Sequence, residues 1–568
     1  MRRIHWMIGF ILITALSAGF IFMIFQSQEV SPVIYEGKAK LVIGDQQIEE
    51  EPWIRYSDDI LYMPYDIVSN HISKDIILSK DQKRVYVPLR DTKAELEDEE
   101  LTGFVKENDI QVNIPTRIEE GTVFIPLTLL KEMLGIQIRY IEEAATVIID
   151  PVSIVKNEGE IKENRVGIKE KPSSLGFSKA ELRLGDRVAV LGEVNDWYRI
   201  RSNTGDLGYI EKKNIEVLVP AEQPMMQMNT KRVLENQGSK KINVAWEYVH
   251  EKSPNIGAES RIQSLDVVVP TWFSVADESG IVMNKGDRRY VNEAHKKGYK
   301  VWGLVDNGFD PKRTSKILED PLKRKKVIGQ LLLYASIYNL DGINIDFENI
   351  YYKDKDALVA FVKELRYYTN KQNIILSMDV TVPSSSEQWS KVYDRKALSE
   401  HVDYIAVMTY DEHWATSPIS GSVASMPWVE RGIIRSMENI PSEKLFLGLP
   451  FYTRVWKEYK NENGKLKVES KAVSMVRAKE IIDEKNAAVI WNEELGQYYA
   501  QYEEEGATYK IWLEDSKSIA LKTTLVEKYG LAGTASWRRG FERQDVWIVL
   551  DEMIKRGKKY HELSFKDN

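Results

Sequence analysis

Residues 341–348 read Asp-Gly-Ile-Asn-Ile-Asp-Phe-Glu, and this stretch decides the predicted fold. Side chains alternate between the two faces of a β-strand, so Asn344, Asp346 and Glu348 share one face and three apolar side chains share the other. A barrel accommodates this pattern, because the apolar face packs on surrounding helices while the polar face climbs the interior toward the mouth. A calcium loop is the competing interpretation. Such loops need glycine-rich spacing rather than alternating isoleucines.

Seven further segments with the character of buried strands surround this one and alternate with helix-like stretches. The eight segments are residues 242–248, 265–273, 300–306, 342–348, 374–381, 404–410, 445–450 and 532–537. This alternation is typical of a (β/α)8 TIM barrel, which we place at residues 239–560. The gap between the seventh and eighth strands is too long for one helix, so we expect an insertion there.

The two carboxyl groups on strand four predict acid catalysis. Asp346 and Glu348 lie two residues apart, which places them about 6–7 Å from each other along the strand. Ionised carboxylates at that separation repel, so the pKa of one should rise and leave a protonated acid near neutral pH. Glu348, nearer the mouth, is the expected proton donor and Asp346 its deeper partner.

The N-terminus predicts a membrane segment. Two arginines precede residues 6–25, which carry no charge, and about 20 apolar residues span a bilayer as a helix. We therefore expect a transmembrane anchor within residues 1–30, with the C-terminal bulk on the cell-wall side of the membrane. A cleaved signal peptide, which would make the protein secreted, is the alternative.

Two small modules are predicted between the anchor and the barrel. Residues 35–152 show strand–proline–helix segments twice, which indicates an α+β module with an internal duplication. Residues 160–218 show short strands separated by Gly-Asp turns, as in a small β-barrel. A linker rich in proline, methionine and glutamine follows at residues 219–238. The predicted fold class is therefore multidomain: transmembrane helix, α+β module, small barrel and TIM barrel.

The composition excludes several classes of protein. The chain has 568 residues and a formal net charge of −8, which disfavours nucleic-acid binding. It contains no cysteine, so disulfide frameworks, thiolate catalysis and cysteine-ligated metals are excluded. With only 7 histidines in the chain, we expect no metal and no other cofactor.

Three separated motifs resemble glycoside hydrolase family 18. They are the strand-four motif at 341–348, Met408-Thr409-Tyr410-Asp411 on strand six, and Trp537 at the end of strand eight. Segments 448–452 and 511–515 further resemble the branch that contains spore peptidoglycan N-acetylglucosaminidases. Residues 121–150 are similar to the copper amine oxidase N-terminal-like domain, although no residue set there suits copper. Segments 196–201 and 205–210 are similar to bacterial SH3-like domains, as a wall-contact module or a plain spacer.

The family resemblance implies substrate-assisted, retaining catalysis with Glu348 as acid and base. It implies that Asp346 orients the acetamido group of the sugar, that Tyr410 donates a hydrogen bond to it, and that Trp537 forms the floor beneath the ring. One departure concerns Asn344, where many chitinases of the family carry an aspartate that shares a proton with the neighbouring acid. The full set of expected substrate-binding residues is Asp341, Asn344, Met408, Asp411, Trp537, Trp272, Asn307 and Tyr452.

Cell-wall peptidoglycan, or a chitin-like glycan, is therefore the expected substrate, and the expected reaction is cleavage of β-1,4 bonds at N-acetylglucosamine. A glycan-binding protein without catalysis is the first alternative, because Asn344 departs from the chitinase pattern. A spacer-dominated scaffold is the second.

Overall fold

The computed structural model describes residues 35–565 except positions 58, 90–95, 97, 109, 153–156, 176 and 219–240. Among these residues the chain forms two compact units. The first contains residues 35–74 and 117–218, and the second contains residues 75–116 and 241–565.

The predicted fold class needs one correction, which concerns the transmembrane helix. Within the described part of the chain no helix is long and apolar enough to cross a membrane. The longest one described, Pro321–Tyr338, has 18 residues and carries four consecutive basic side chains near its start. The predicted anchor at 1–30 and the predicted linker at 219–238 lie outside the described residues.

Short strands dominate the region before residue 152. In chain order its elements are β1 Tyr35–Lys38, β2 Lys40–Ile43, β3 Gln46–Ile48, β4 Trp53–Ser57, β5 Ile60–Pro64, α1 Tyr65–His71, β6 Ile77–Leu78, β7 Arg84–Pro88, α2 Glu99–Glu107, β8 Gln111–Pro115, β9 Arg117–Glu119, β10 Thr122–Pro126, α3 Leu127–Leu134, β11 Ile136–Ile141 and β12 Thr146–Pro151. The two predicted strand–proline–helix repeats are β5–α1 and β10–α3, and their strands pair antiparallel.

The first unit contains three sheets. One has the strand order β1-β4-β5-β10-β9 and another the order β11-β12-β2-β3. The third is built from β13 Asn157–Ile161, β14 Val166–Lys169, β15 Ser178–Leu182, β16 Arg187–Val194, β17 Trp197–Ser202, β18 Leu207–Glu211 and β19 Ile215–Leu218. Its seven strands enclose a core of aliphatic side chains that includes Ile168, Ile200 and Ile210. Buried Arg201 forms a two-pronged ion pair with Asp150, at 2.8 and 2.6 Å, which ties this sheet to β12.

The second unit contains an eight-stranded parallel barrel, as expected from the strand pattern. Its strands are β20 Ile242–Glu247, β21 Val267–Pro270, β24 Lys300–Asp306, β25 Gly342–Asp346, β26 Ile375–Thr381, β27 Tyr404–Met408, β28 Leu445–Pro450 and β34 Gly533–Trp537, with the hairpin β22 Phe273–Val275 and β23 Val282–Asn284 beside β24. Pairing of β21 with β24 and of β20 with β34 closes the barrel. Large side chains, among them Trp246, Trp302 and Phe446, fill its lower interior.

Helices alternate with these strands on the outside of the barrel. They are α4 Arg288–Lys296, α5 Pro311–Leu318, α6 Pro321–Tyr338, α7 Lys355–Lys371, α8 Arg395–Glu400, α9 Met426–Met437, α11 Ser516–Lys528 and α12 Gln544–Leu550. An aspartate precedes each of α4, α5 and α6, and its side chain accepts hydrogen bonds from the first backbone N–H groups of the helix. Proline at the first position of α5 and α6 also favours helix initiation.

Two additional structures complete the second unit. Between β28 and β34 the chain forms a five-stranded antiparallel sheet, with β29 Tyr452–Lys460, β30 Leu466–Ser474, α10 Met475–Lys485, β31 Val489–Asn492, β32 Gln497–Glu504 and β33 Ala507–Trp512. The second structure is the sheet β6-β7-β8 with α2, which packs on the barrel. There Asn113 donates hydrogen bonds to the Val282 carbonyl, at 2.7 Å, and to the Tyr334 hydroxyl, at 3.0 Å.

Candidate active site

Strand four presents the alternation that the sequence predicts. The apolar side chains of β25 are buried, and Phe347 stacks on Phe361 of α7 with ring centroids 5.4 Å apart. Asn344 and Asp346 point to the opposite side, into the barrel. The parallel register pairs Asp346 with Asp306 of β24. The carboxyl end of the barrel interior is therefore strongly acidic.

Glu348 is held by its backbone just beyond the end of β25. Its N–H donates to Asn307 Oδ1 at 3.1 Å, and its carbonyl accepts from Asn307 Nδ2 at 2.7 Å. Asn307 also donates to the Thr314 hydroxyl at 2.8 Å. Asn307, predicted to touch substrate, is itself buried, and its side chain bonds the backbone on both sides of Glu348.

The environment of the Glu348 carboxyl group raises its pKa toward neutral pH. Burial and the charge of Asp411 raise its pKa to about 7. A carboxylic acid with that pKa is protonated in a large fraction of molecules at neutral pH and can act as a general acid.

Asp346 lies deeper and is shielded from solvent. Burial raises its pKa well above the ordinary value, and the charges of Glu348, Asp379 and Asp306 act in the same direction. Its Oδ1 atom is buried and makes no hydrogen bond with any of the residues that the structure describes. An unpaired buried carboxyl oxygen is costly, so this atom is a candidate for accepting a hydrogen bond from a ligand.

A compact polar cluster lies below and beside Asp346. Asn344 Nδ2 donates to Ser377 Oγ and to Asp379 Oδ1, each at 3.0 Å, and Trp246 Nε1 donates to Asp379 Oδ2 at 3.1 Å. Burial raises the pKa of Asp379 to about 8, against the effect of these donors. Asp379 is not among the site residues predicted from the sequence. The signal was an acidic residue on the same strand face as Ser377 within the buried segment Ile375–Thr381.

A second group of predicted residues forms the wall beside strands six and seven. Asp411 accepts hydrogen bonds from the Tyr452 hydroxyl, at 2.7 Å, and from Arg454, at 3.1 Å. The Tyr410 ring lies 6.1 Å from that of Tyr452. Burial raises the pKa of Tyr410 well above its usual value, and nearby Asp379 and the strand-four acids add to the effect. Tyr410 therefore stays protonated and able to donate a hydrogen bond.

The remaining predicted residues on β27 and β34 are at the ends of their strands. Met408 is half-buried and ends β27. Trp537 is half-buried and ends β34, with its ring 6.1 Å from that of Trp246. Trp246 donates to both Asn344 and Asp379, so this aromatic pair connects the strand-eight side of the mouth to the acidic cluster.

Two predicted substrate-binding residues are not at the site. Asp341 precedes β25 and so lies at the amino end of that strand, where His295, Lys300 and the Val301 N–H occupy its carboxylate at 2.6, 3.1 and 3.0 Å. Although burial opposes it, these contacts lower the Asp341 pKa. Trp272 is fully buried and packs edge-on against Tyr290, with centroids 5.5 Å apart. Asp341 is structural, and Trp272 belongs to the core.

Exposed aromatic side chains surround the mouth instead. Each of them follows a different barrel strand and is 44–53% exposed; they are Tyr248, Phe309, Tyr352, Trp389 and Trp414. The carboxyl ends of the strands form the functional face of this fold. Aromatic rings offer flat apolar surfaces with a polar rim, which suits contact with sugar rings. These residues are not among those predicted from the sequence, because loop positions carry no periodic signal.

The described ranges contain no cluster of His, Cys, Asp or Glu side chains arranged to hold a metal ion. The site consists instead of an acid at the mouth, a buried acidic partner and an aromatic rim. The family model for glycosyl hydrolases family 18 matches residues 230–542, more than half of the chain. The chain belongs to glycosyl hydrolase family 18. It is therefore a glycoside hydrolase.

Two further family models match the N-terminal half. The copper amine oxidase N-terminal domain matches residues 42–149, and the bacterial SH3 domain matches residues 168–216. Both agree with the resemblances stated from the sequence.

Bacterial proteins are among the relatives of the family 18 region. Glycosylase YvbX of Bacillus subtilis is 26% identical over 50% of this chain and 82% of its own length. The cortical fragment-lytic enzyme of B. subtilis is 24% identical over 46% of this chain and 60% of its own length. The crystal structure of the spore cortex-lytic enzyme SleL of Bacillus cereus superposes with a TM-score of 0.50 at 23% identity, covering 56% of this chain and 75% of that one. The last likeness concerns the fold.

Proposed function

We propose that this enzyme hydrolyses β-1,4 bonds beside N-acetylglucosamine in cell-wall peptidoglycan, with the sugar's own acetamido group as nucleophile. The observation that carries this proposal is the pair on strand four. Glu348 is an acid with a pKa of about 7 at the mouth, and Asp346 presents an unpaired buried oxygen two residues deeper. Family 18 enzymes are known for substrate assistance rather than for a carboxylate nucleophile.

In the first step Glu348 protonates the glycosidic oxygen, and the bond from that oxygen to C1 of the sugar breaks. The carbonyl oxygen of the acetamido group forms a new bond to C1, which gives a positively charged oxazolinium ion. Asp346, in its ionised form, accepts the N–H hydrogen of the acetamido group at Oδ1 and stabilises the positive charge.

In the second step Glu348, now a carboxylate, takes a proton from a water molecule. The water oxygen attacks C1, the bond from C1 to the acetamido oxygen breaks, and the product retains the configuration of the substrate. The proton returned to Glu348 restores the starting state, so one side chain serves as acid and then as base.

The other side chains of the mouth orient the sugar. Tyr410, which stays protonated, donates a hydrogen bond to the acetamido group, and Asp411 contacts a sugar hydroxyl while anchored by Tyr452 and Arg454. Trp537 lies beneath the reacting ring, and the exposed aromatic rim extends the contact to neighbouring sugars.

Peptidoglycan is favoured over chitin by two lines of support. A cortical fragment-lytic enzyme and a spore cortex-lytic enzyme are among the similar proteins, and a bacterial SH3 domain precedes the barrel. Because peptidoglycan lies outside the cytoplasmic membrane, we propose that the enzyme acts on the wall side of that membrane.

The test is to incubate the purified protein with peptidoglycan, beside a Glu348→Gln variant, and to analyse the released fragments by mass spectrometry. New reducing-end N-acetylglucosamine from the wild type alone supports the proposal. Fragments from neither protein, with both still pelleting with the wall, would instead support the alternative of a glycan-binding protein. Equal release by both proteins would exclude Glu348 as the acid.

A further inference from the structure

Asp379 lies outside the three motifs that define the site, yet it accepts a hydrogen bond from Asn344 of the strand-four motif. β26 lies beside β25, and their register pairs Ile345 with Met378, so Asp346 and Asp379 are neighbours one position further along. Adjacent strands are about 4.8 Å apart. Beyond burial and the charge of Glu348, the charge of Asp379 raises the Asp346 pKa, so ionisation of one acid disfavours ionisation of the other and the buried pair tends to retain a proton.

The hydrogen bonds distinguish the two acids. Both oxygens of Asp379 accept from N–H donors, one from Asn344 and the other from Trp246. Asp346 has no such donor at its buried Oδ1. Donors stabilise a carboxylate, so Asp379 ionises before Asp346, and when the pair holds a single proton that proton lies on Asp346 and the charge on Asp379.

We propose that Asp379 takes up the Asp346 proton when the positively charged intermediate forms and returns it when that intermediate is hydrolysed. This inference rests on the proposed function. The proton passes between two carboxyl oxygens, so Asp346 becomes ionised opposite the cation and the total charge of the pair is unchanged. Asn344 is an amide and cannot take up a proton near neutral pH, but its hydrogen bond holds Asp379 in place. Asp379 is therefore a positioning residue that acts through Asp346.

Other titratable groups face this pair and belong in any interpretation of its pH dependence. From β24, β25 and the segments after β26 and β27 they are Asp306, Glu348, Tyr393, Tyr410 and Asp411. The two tyrosines are held protonated by burial, so the carboxyl groups dominate between acidic and neutral pH.

The test compares kcat across pH for three proteins: the wild type, Asp379→Asn, and the exchange variant Asn344→Asp/Asp379→Asn. The exchange variant again has one carboxyl and one amide joined by this hydrogen bond, with the carboxyl now at position 344 and the amide at position 379. We expect Asp379→Asn to lower kcat by at least about tenfold and to shift the acidic limb of the profile, and the exchange to recover most of the loss. Asp483→Asn, the same acid-to-amide change in an exposed ion pair with Lys479 of α10, is the matched control and should leave the profile in place.

A wild-type kcat and pH profile in Asp379→Asn would overturn the proposal, and so would an equal, pH-independent loss of kcat in Asp483→Asn and Asp379→Asn. A second readout does not need activity. Both acids have raised pKa values, so the pair binds a proton more tightly in the folded than in the unfolded protein, and stability is lost as pH rises from about 4 to about 8. The unfolding temperature of Asp379→Asn should therefore fall less over that range, even if the wild type cleaves no glycan, and an identical pH dependence counts against the shared proton.

A different observation concerns two successive arginines after β34. Arg539 is buried and neutralised by the carboxylates of Glu247 and Glu259. Arg538 is half-buried, and its guanidinium makes no ion pair and no hydrogen bond with any of the described residues. Its guanidinium lies 3.8 Å from the centroid of the Phe541 ring and 5.0 Å from that of Tyr248. Burial lowers its pKa, while Glu247 and Glu542 oppose the shift without bonding to it.

The geometry points to Arg538 as a binding site for a carboxylate of the substrate. It directly follows Trp537 at the end of β34, and Tyr248 directly follows β20, so the cation stands at the mouth between strands eight and one. Its position on two aromatic rings fixes a planar set of N–H donors that matches a carboxylate. Peptidoglycan carries free carboxylates on its stem peptides and on muramic acid residues from which the peptide has been removed, whereas chitin is neutral. Arg538 would then select the anionic glycan, a proposal that also rests on the proposed function.

The test measures kcat/KM of the wild type and Arg538→Gln on soluble peptidoglycan fragments and on neutral chitooligosaccharides. We expect a loss of at least about tenfold on the anionic glycan and little change on the neutral one. Lys517→Gln, which removes a cation from Trp491 in the insertion, is the matched control and should affect neither. Equal losses on both glycans would overturn the selection.

Binding separates this proposal from the catalytic one. In a Glu348→Gln background, calorimetric titration with the same two glycans should show weaker binding of the anionic glycan alone when Arg538 is replaced by Gln. Such a result supports the carboxylate site even if neither glycan is cleaved. Unchanged binding of the anionic glycan would exclude it.

Discussion

At the scale of single residues, the Glu348 carboxyl group has a pH dependence that can be measured through stability. Its pKa is raised from 4.5 to about 7 in the folded state, so folded protein binds the proton more tightly than unfolded protein. Stability is therefore lost as pH rises through this range. Glu348→Gln cannot ionise, and we expect it to be more stable than the wild type above neutral pH, by about 3 kcal/mol at most.

Urea unfolding near pH 8 and near pH 4 checks this expectation. The two proteins should differ at the higher pH and coincide at the lower one, where Glu348 is protonated in both states. A difference that is the same at both values would trace to packing rather than to the charge.

Asn307 gives a second prediction at this scale. Its side chain bonds both the N–H and the carbonyl of Glu348, so it orients the acid without carrying charge. Asn307→Ala should lower kcat by about 10- to 100-fold with a much smaller change in KM, because misplacement of the acid mainly affects the transition state. Steady-state kinetics on a soluble substrate measure the separate effects on kcat and KM. A large rise in KM at constant kcat would indicate direct contact with substrate instead.

At the scale of elements, the two-residue period of strand four predicted which side chains face the barrel interior. Alternation in 341–348 placed Asn344, Asp346 and the apolar residues on the correct faces, because a strand repeats every two residues whatever surrounds it. Asp341 lies before β25 begins and therefore at the end of the barrel away from Glu348, which alternation alone does not indicate because it does not fix where the strand starts. Asp379 was missed because its importance arises from a neighbouring strand that lies over thirty residues away in sequence.

The link between the insertion and α11 provides a prediction for an element. Glu514 and Lys522 form a fully buried ion pair at 2.8 and 3.0 Å, and Gln497 of β32 donates to the same carboxylate. Lys522→Met leaves Glu514 buried and unpaired, which should destabilise the unit by about 3–5 kcal/mol at neutral pH. Burial already raises the Glu514 pKa to about 6, so the loss should shrink at lower pH, where the carboxyl group is neutral.

Denaturant unfolding of Lys522→Met at neutral and acidic pH tests this pair. Lys528→Met, which breaks the exposed pair with Glu430, is the control and should change stability little. The double variant Glu514→Leu/Lys522→Met should be less destabilised than Lys522→Met, since no charge is left unpaired. Equal stability of Lys522→Met and the control would contradict the role of the buried pair.

At the scale of the whole molecule, the barrel shares its compact unit with residues 75–116, although the sequence analysis had assigned them to the α+β module. The boundaries of a family model are set by sequence similarity, whereas the boundaries of a compact unit are set by contacts between residues. Asn113 and Asn284 are both buried in the contact between β8 and β23. Asn284 Nδ2 donates to the Asn113 carbonyl at 2.8 Å, and Asn113 in turn donates to Val282 and Tyr334.

A fragment limited to residues 239–565 would expose these partners of the barrel, together with the apolar surface beneath β7 and β8. Three lost hydrogen bonds alone are worth about 3 kcal/mol, and the exposed apolar area adds to the loss. We therefore expect the fragment to unfold at lower urea concentration than the barrel does in the whole protein, with tryptophan fluorescence as the probe. Asn113→Ala in the whole protein should shift the transition in the same direction by a smaller amount. If fragment and whole protein unfold at the same concentration, residues 75–116 contribute nothing to barrel stability.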